Sequence, residues 1–187
     1  MLNIVVERFK KSYDYKADPN KPGSFSNNWK NNCQDWFVLY DDDCELIRVH
    51  CQSVANYNWG DYATADTVEY GDTISEGFFK MKCFVEPRGF AGEIHGITAT
   101  KDVDGQWIDK NSYQTTANGF QNGRFLVHSN FSKKINGDTN FCWSAGCFVM
   151  SSDSLKALND LLHAYNVKPG DLIDGQVVEE EENGQIL

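Results

Sequence analysis

Residues 123–150 read GRFLVHSNFSKKINGDTNFCWSAGCFVM. A short apolar run, Phe125-Leu126-Val127, ends in His128. A polar loop rich in Asn, Lys, Gly and Asp follows, and Ser144-Ala145-Gly146-Cys147 then leads into Phe148-Val149-Met150. One strand delivers a histidine and a turn of small residues delivers a cysteine. A thiol of ordinary pKa, about 8.5, is only a few per cent thiolate at neutral pH, so an imidazole that takes its proton supplies the missing nucleophile. Small residues before the cysteine let a carbonyl approach the backbone, whose N–H groups can stabilise an oxyanion.

The surrounding composition restricts the function classes. The chain has 187 residues, enough for one sizeable domain, with 41% apolar and 24% charged residues, as in an ordinary globular protein. Seventeen basic residues against 27 acidic ones give a net charge of −10, which disfavours nucleic acid and anionic membrane as partners. The opening MLNIVVERFKKSYDYK has too short an apolar run for a signal peptide or a spanning helix, so no membrane insertion is expected. Six cysteines, at 33, 44, 51, 83, 142 and 147, contain no CxxC pair. Cys33, Cys44, Cys51 and Cys83 are expected as buried reduced thiols, and no metal site is expected because no ligand pair has the spacing of one. Cys142 is read as a structural or regulatory neighbour of Cys147.

Period-two patterning dominates. LNIVVERF reads as a strand, and a polar arm containing Pro19, Pro22 and Gly23 follows it. WFVLY, then three aspartates, then CELIRVHC forms a hairpin, with His50 on the polar face of its second strand as a solvated histidine. Gly77 precedes a strand with Phe79, Met81, Cys83 and Val85 on one face, and Asp104-Gly105 and Asn118-Gly119 mark turns. SSDSLKALNDLLHAYN repeats its leucines at helical spacing behind possible caps at Ser151, Ser152 and Asp153. His163 near its end suits the negative pole of the helix dipole. A last strand lies in DLIDGQVVEE.

The His128-Ser129 step, the nineteen-residue interval and the Ser144-x-Gly146-Cys147 turn resemble the catalytic domain of the L,D-transpeptidases, cysteine enzymes that remodel peptidoglycan. The chain departs from that pattern at Ala145, where the family has a histidine, and at Val149, where it has a polar residue. Thr73–Phe79 is similar to the family's Thr-Pro-x-Gly-x-Phe motif without its proline. The resemblance covers roughly residues 35–178. It implies a mainly β fold, a curved β-sandwich with one amphipathic helix after the cysteine. Residues 1–34 would be a strand and arm packed on that domain, and 179–187 an acidic tail.

The resemblance implies Cys147 as nucleophile, His128 as base, and Ser129 or a backbone carbonyl as the group orienting His128. Ser144 and the amides of Gly146 and Cys147 would form an oxyanion pocket, and Asn130 would contribute to the site. His95, in a similar Ile-His-Gly setting, would line the cleft. The implied reaction is acyl transfer on a peptidoglycan stem peptide through a Cys147 thioester, without cofactor, as an L,D-transpeptidase or an L,D-carboxypeptidase or endopeptidase. Such a protein would act at the cell wall or periplasm. The alternative is a catalytically silent peptidoglycan-binding or structural module that keeps the fold.

Overall fold

A computed structural model describes residues 1–14, 35–55, 73–85, 93–101, 104–109, 125–129, 144 and 146–181. Nine strands and one α-helix are seen among them: β1 (Leu2–Phe9), β2 (Asp35–Asp41), β3 (Cys44–Gln52), β4 (Gly77–Val85), β5 (Ile94–Lys101), β6 (Trp107–Asp109), β7 (Leu126–Ser129), β8 (Phe148–Met150), α1 (Ser152–Ala164) and β9 (Leu172–Glu180). The protein is therefore mainly β with one helix after Cys147.

The strands hydrogen-bond in the order β4-β9-β1-β2-β3-β8-β7-β5-β6, and β4 also pairs with β5. That last pairing joins the two ends of the series, so eight strands close into a barrel and β6 is attached outside the circuit, on β5. The two separate layers expected of a sandwich are here one continuous sheet. Closure removes the unpaired edges that an open sheet would expose. Alternation fills the interior: Ile4 and Val6 of β1, Phe37 and Leu39 of β2, and Phe79 and Met81 of β4 are all at most 1% exposed.

Amphipathicity places α1. Ser151 caps it by accepting the Ser154 N–H at 3.1 Å, and Leu155, Leu158 and Leu162 recur on one face and join the barrel's apolar cluster. Leu158 and Leu162 are fully buried, each worth roughly 1.5–3 kcal/mol. The helix lies over the end of the barrel where β4 finishes and β5 begins. There the His163 ring stacks on Phe84 at 4.5 Å and takes the Glu93 carboxylate at 2.8 Å.

A polar cluster occupies the other end. Arg8, 0% exposed, donates from Nε to Ser53 Oγ (2.9 Å), from Nη2 to the Ser53 carbonyl (3.1 Å), and from Nη1 to Glu179 (3.2 Å) and Tyr13 Oη (3.1 Å). Asp35, equally buried, accepts from the Phe9 N–H, the Ser12 hydroxyl, and both the N–H and the hydroxyl of Ser53. Burial pushes the Asp35 carboxyl up, and these donors with the nearby Arg8 oppose it. β9 runs on to Glu180, so Glu179, at the start of the acidic stretch, serves as a partner for Arg8 and Tyr13.

Two expectations change. His50 is not simply solvated: it is the cross-strand partner of Trp36 and stacks on that indole with centroids 3.7 Å apart. Cys44 is exposed, whereas Cys51 and Cys83 are buried. Burial raises the Cys51 thiol well above its ordinary range and takes Cys83 to about 12, which keeps both protonated at neutral pH. Cys33, Cys142 and the Asn118-Gly119 turn lie outside the described residues. No described helix is long and apolar enough to cross a membrane.

Candidate active site

β7 and β8 run side by side in parallel, with Val127 opposite Phe148, His128 opposite Val149 and Ser129 opposite Met150. Val127 and Phe148 face the packed interior, so His128 and Val149 face outward. Cys147 stands two positions before Val149, at the bend from which β8 starts. On strand register, the strand that Cys147 leads into lies beside the strand that carries His128, and Cys147 itself packs, partly buried, against the core cluster.

The turn that presents Cys147 is held by Ser144. Its hydroxyl accepts the Gly146 N–H at 2.9 Å and donates to the Cys147 carbonyl at 2.6 Å. Gly146 has φ +129°, a backbone conformation that residues with a side chain rarely adopt, so this position requires glycine. The oxyanion role expected of Ser144 and of the Gly146 amide is corrected by these bonds. In this conformation, both groups bond within the turn that aims Cys147, which is half-buried.

His128 is 7% exposed, and its Nδ1 lies 2.7 Å from the main-chain carbonyl of Ser129. A carbonyl only accepts, so Nδ1 carries the proton and Nε2 carries the lone pair. Burial holds the imidazole's pKa below its ordinary value, opposed by the bond to Ser129. The Ser129 main-chain carbonyl thus supplies the orienting contact. The Ser129 side chain shares the opposite face with Met150 by register.

His95 is not brought to this face. It pairs with Val127, the interior-facing neighbour of His128, and is 0% exposed. Its Nδ1 accepts the Phe84 N–H (3.2 Å), which leaves Nε2–H to donate to Asn159 Oδ1 (2.8 Å) of α1; Asn159 in turn donates to the Glu93 carbonyl (2.8 Å). Burial lowers its pKa to about 4. The cleft-lining role expected of His95 is therefore replaced by that of a neutral pin between barrel and helix. Asn130 and Ala145 lie outside the described residues.

Sequence reasoning missed the wall on the other side of β8. Gln52, 0% exposed, is the register partner of Val149, so Gln52, Val149 and His128 form one row across β3, β8 and β7. Gln52 donates to the Val54 carbonyl (2.8 Å), Arg8 and Asp35 grip Ser53, and the Ala55 N–H donates to Thr73 Oγ1 (2.9 Å). Residues 52–55 are thus fixed by side chains from several parts of the chain. The one sequence cue was Thr73, the first residue of the motif noted above. Among the described residues no cluster of three or more His, Cys, Asp or Glu could hold a metal ion.

No family model and no solved structure matches the chain. It is similar to an uncharacterized protein of Treponema pallidum (strain Nichols), at 42% identity over 182 residues. That alignment takes in 97% of this chain and 81% of the other protein, so the similarity extends over nearly the whole sequence, well beyond the His128 and Cys147 segments. The chain belongs to the family of that Treponema pallidum protein.

Proposed function

We propose that the chain is a cysteine acyl-transfer enzyme of the L,D-transpeptidase type, acting on peptidoglycan stem peptides at the cell wall or periplasm. The observation that carries this reading is the parallel pairing of β7 with β8. It sets an Nδ1-protonated His128 on the strand beside the one that Cys147 leads into. In the proposed reaction His128 Nε2 takes the thiol proton as sulfur attacks the peptide carbonyl. The tetrahedral intermediate then expels the amine, which receives that proton from His128, and leaves a thioester on Cys147. An incoming amine or water resolves the thioester. The resemblance directs the attack to the bond that follows the diamino acid and precedes a D-amino acid.

Burial of His128 disfavours a standing imidazolium, so the proton moves during attack and not from a preformed ion pair. The finer architecture proposed is that of the L,D-transpeptidase sandwich, with opposite walls of the barrel packing face to face across the apolar interior as two sheets would. The experiment is intact-mass analysis of the protein incubated with purified muropeptides. A covalent adduct that is lost in Cys147→Ala supports acyl transfer. A second reading, a silent peptidoglycan-binding module, draws on the 7% exposure of His128 and on the engagement of the Gly146 amide inside the turn. Binding to peptidoglycan without any adduct would select it.

A further inference from the structure

We propose that the outward face of β4, β5 and β6 around Phe78, Lys101 and Trp107 binds a glycan strand whose peptide stems carry free carboxylates. The identity of the polymer rests on the acyl-transfer reading; the face itself does not. Lys101 pairs with Trp107 across β5 and β6, and Phe79 pairs with Thr100, so Phe78 is the neighbour of Lys101 on the outward side. The Lys101 ammonium sits 4.7 Å from the Phe78 ring centroid and 5.1 Å from that of Trp107. Lys80 adds a second ammonium 4.3 Å from the Trp107 ring.

Both rings remain open to solvent, Phe78 at 47% and Trp107 at 40%, where most large apolar side chains of this barrel are buried. Lys80 has a carboxylate partner in Asp174 at 2.7 Å, while Lys101 has none among the described residues. An ammonium positioned between two exposed rings can take a carboxylate, and the rings can take the C–H faces of sugars. The chain's net charge of −10 makes a densely charged polyanion a poor occupant. Widely spaced carboxylates on an otherwise neutral polymer need only these local cations.

The position also fits. β5 pairs with β7 at His95 and Gly96 and with β6 at residues 99–101, so β6 continues along β5 beyond the start of β7. β8 runs parallel to β7, and Cys147 precedes its first residue, so the ring-and-lysine face and Cys147 lie towards the same end of the barrel. A strand held on Trp107 would have its stems within the neighbourhood of the cysteine.

The test uses the Cys147→Ala chain, which cannot acylate, co-sedimented with purified glycan strands bearing intact stem peptides. Trp107→Ala and Lys101→Gln, each confirmed folded by its melting temperature, should weaken binding roughly tenfold. Amidating the stem carboxylates should remove the Lys101 contribution and leave that of Trp107. Unchanged binding in both variants overturns the proposal, as does binding to phosphatidylglycerol vesicles in place of the glycan. The acyl-transfer reading is checked separately, by the mass of the unsubstituted protein after exposure to a stem tetrapeptide, so either idea can fail alone.

Discussion

His128 donates its Nδ1–H to the main-chain carbonyl of Ser129 across 2.7 Å, and this bond fixes which ring nitrogen can act as a base. Because burial holds the imidazole below its ordinary pKa, it stays neutral to lower pH than a solvated histidine. The acidic limb of the rate of Cys147 acylation should therefore fall below pH 6.5, the usual histidine midpoint. Replacing His128 with alanine should slow acylation by about 10² to 10⁴. Cys147→Ala should abolish both the adduct and turnover. Full activity in Cys147→Ala would falsify the mechanism.

Gly175 of β9 lies opposite Phe79 of β4, whose ring covers it. A Cβ built at Gly175 would come within 2.3 Å of Phe79 Cζ. The ring has little room to retreat, since it is fully buried and sits edge-on to Phe148 with centroids 5.5 Å apart. Gly175→Ala should destabilise the fold by roughly 1–3 kcal/mol in urea titration. Combining it with Phe79→Leu should cost less than the sum of the two changes. Simple additivity would show that the clash is relieved elsewhere.

The polar end of the barrel should behave as a unit. Arg8→Met leaves Asp35 and Glu179 without their buried cation and should cost about 3–5 kcal/mol. Ser53→Ala removes the hydroxyl that accepts from Arg8 and donates to Asp35, at about 1–3 kcal/mol. Arg8→Met combined with Asp35→Leu should fall short of additivity. Thermodynamic cycles on the melting curves measure the coupling directly.

Several elements were legible in the sequence because their signals are local. Leucines at helical spacing behind Ser151 identify α1, and alternation in LNIVVERF and WFVLY identifies β1 and β2. Closure of the barrel was not legible, since the β4–β5 and β1–β9 pairings depend on register between distant segments. The same limit hid the inward turn of His95: an Ile-His-Gly tripeptide does not state which face its imidazole takes. Arg8 was hidden for a different reason, as its position continues the Ile4, Val6 alternation that normally predicts an apolar residue. β7, which carries His128, pairs with β8, which follows Cys147, but the spacing of the two residues does not state the register of that pairing. The small residues around Ser144, expected to hold an oxyanion, instead hold the turn.

The pin between barrel and helix supplies the last prediction. His95 has a folded-state pKa of about 4 against an ordinary 6.5, because burial penalises its charged form. The unfolded chain therefore binds the proton more readily through that interval. Stability conferred by neutral His95 is fully present above pH 6.5 and is lost as pH falls towards 4, by on the order of 3 kcal/mol in all. Urea midpoints at pH 7, 5.5 and 4.5 should decline accordingly in the wild type. In His95→Gln the protein should be less stable at pH 7 and its midpoints should fall less with acidification. The remaining slope belongs in part to His128 and His50, whose pKa values burial also lowers. An unchanged slope in His95→Gln would mean that acid enters elsewhere, and His95 would then be a packing residue whose protonation does not govern the attachment of α1.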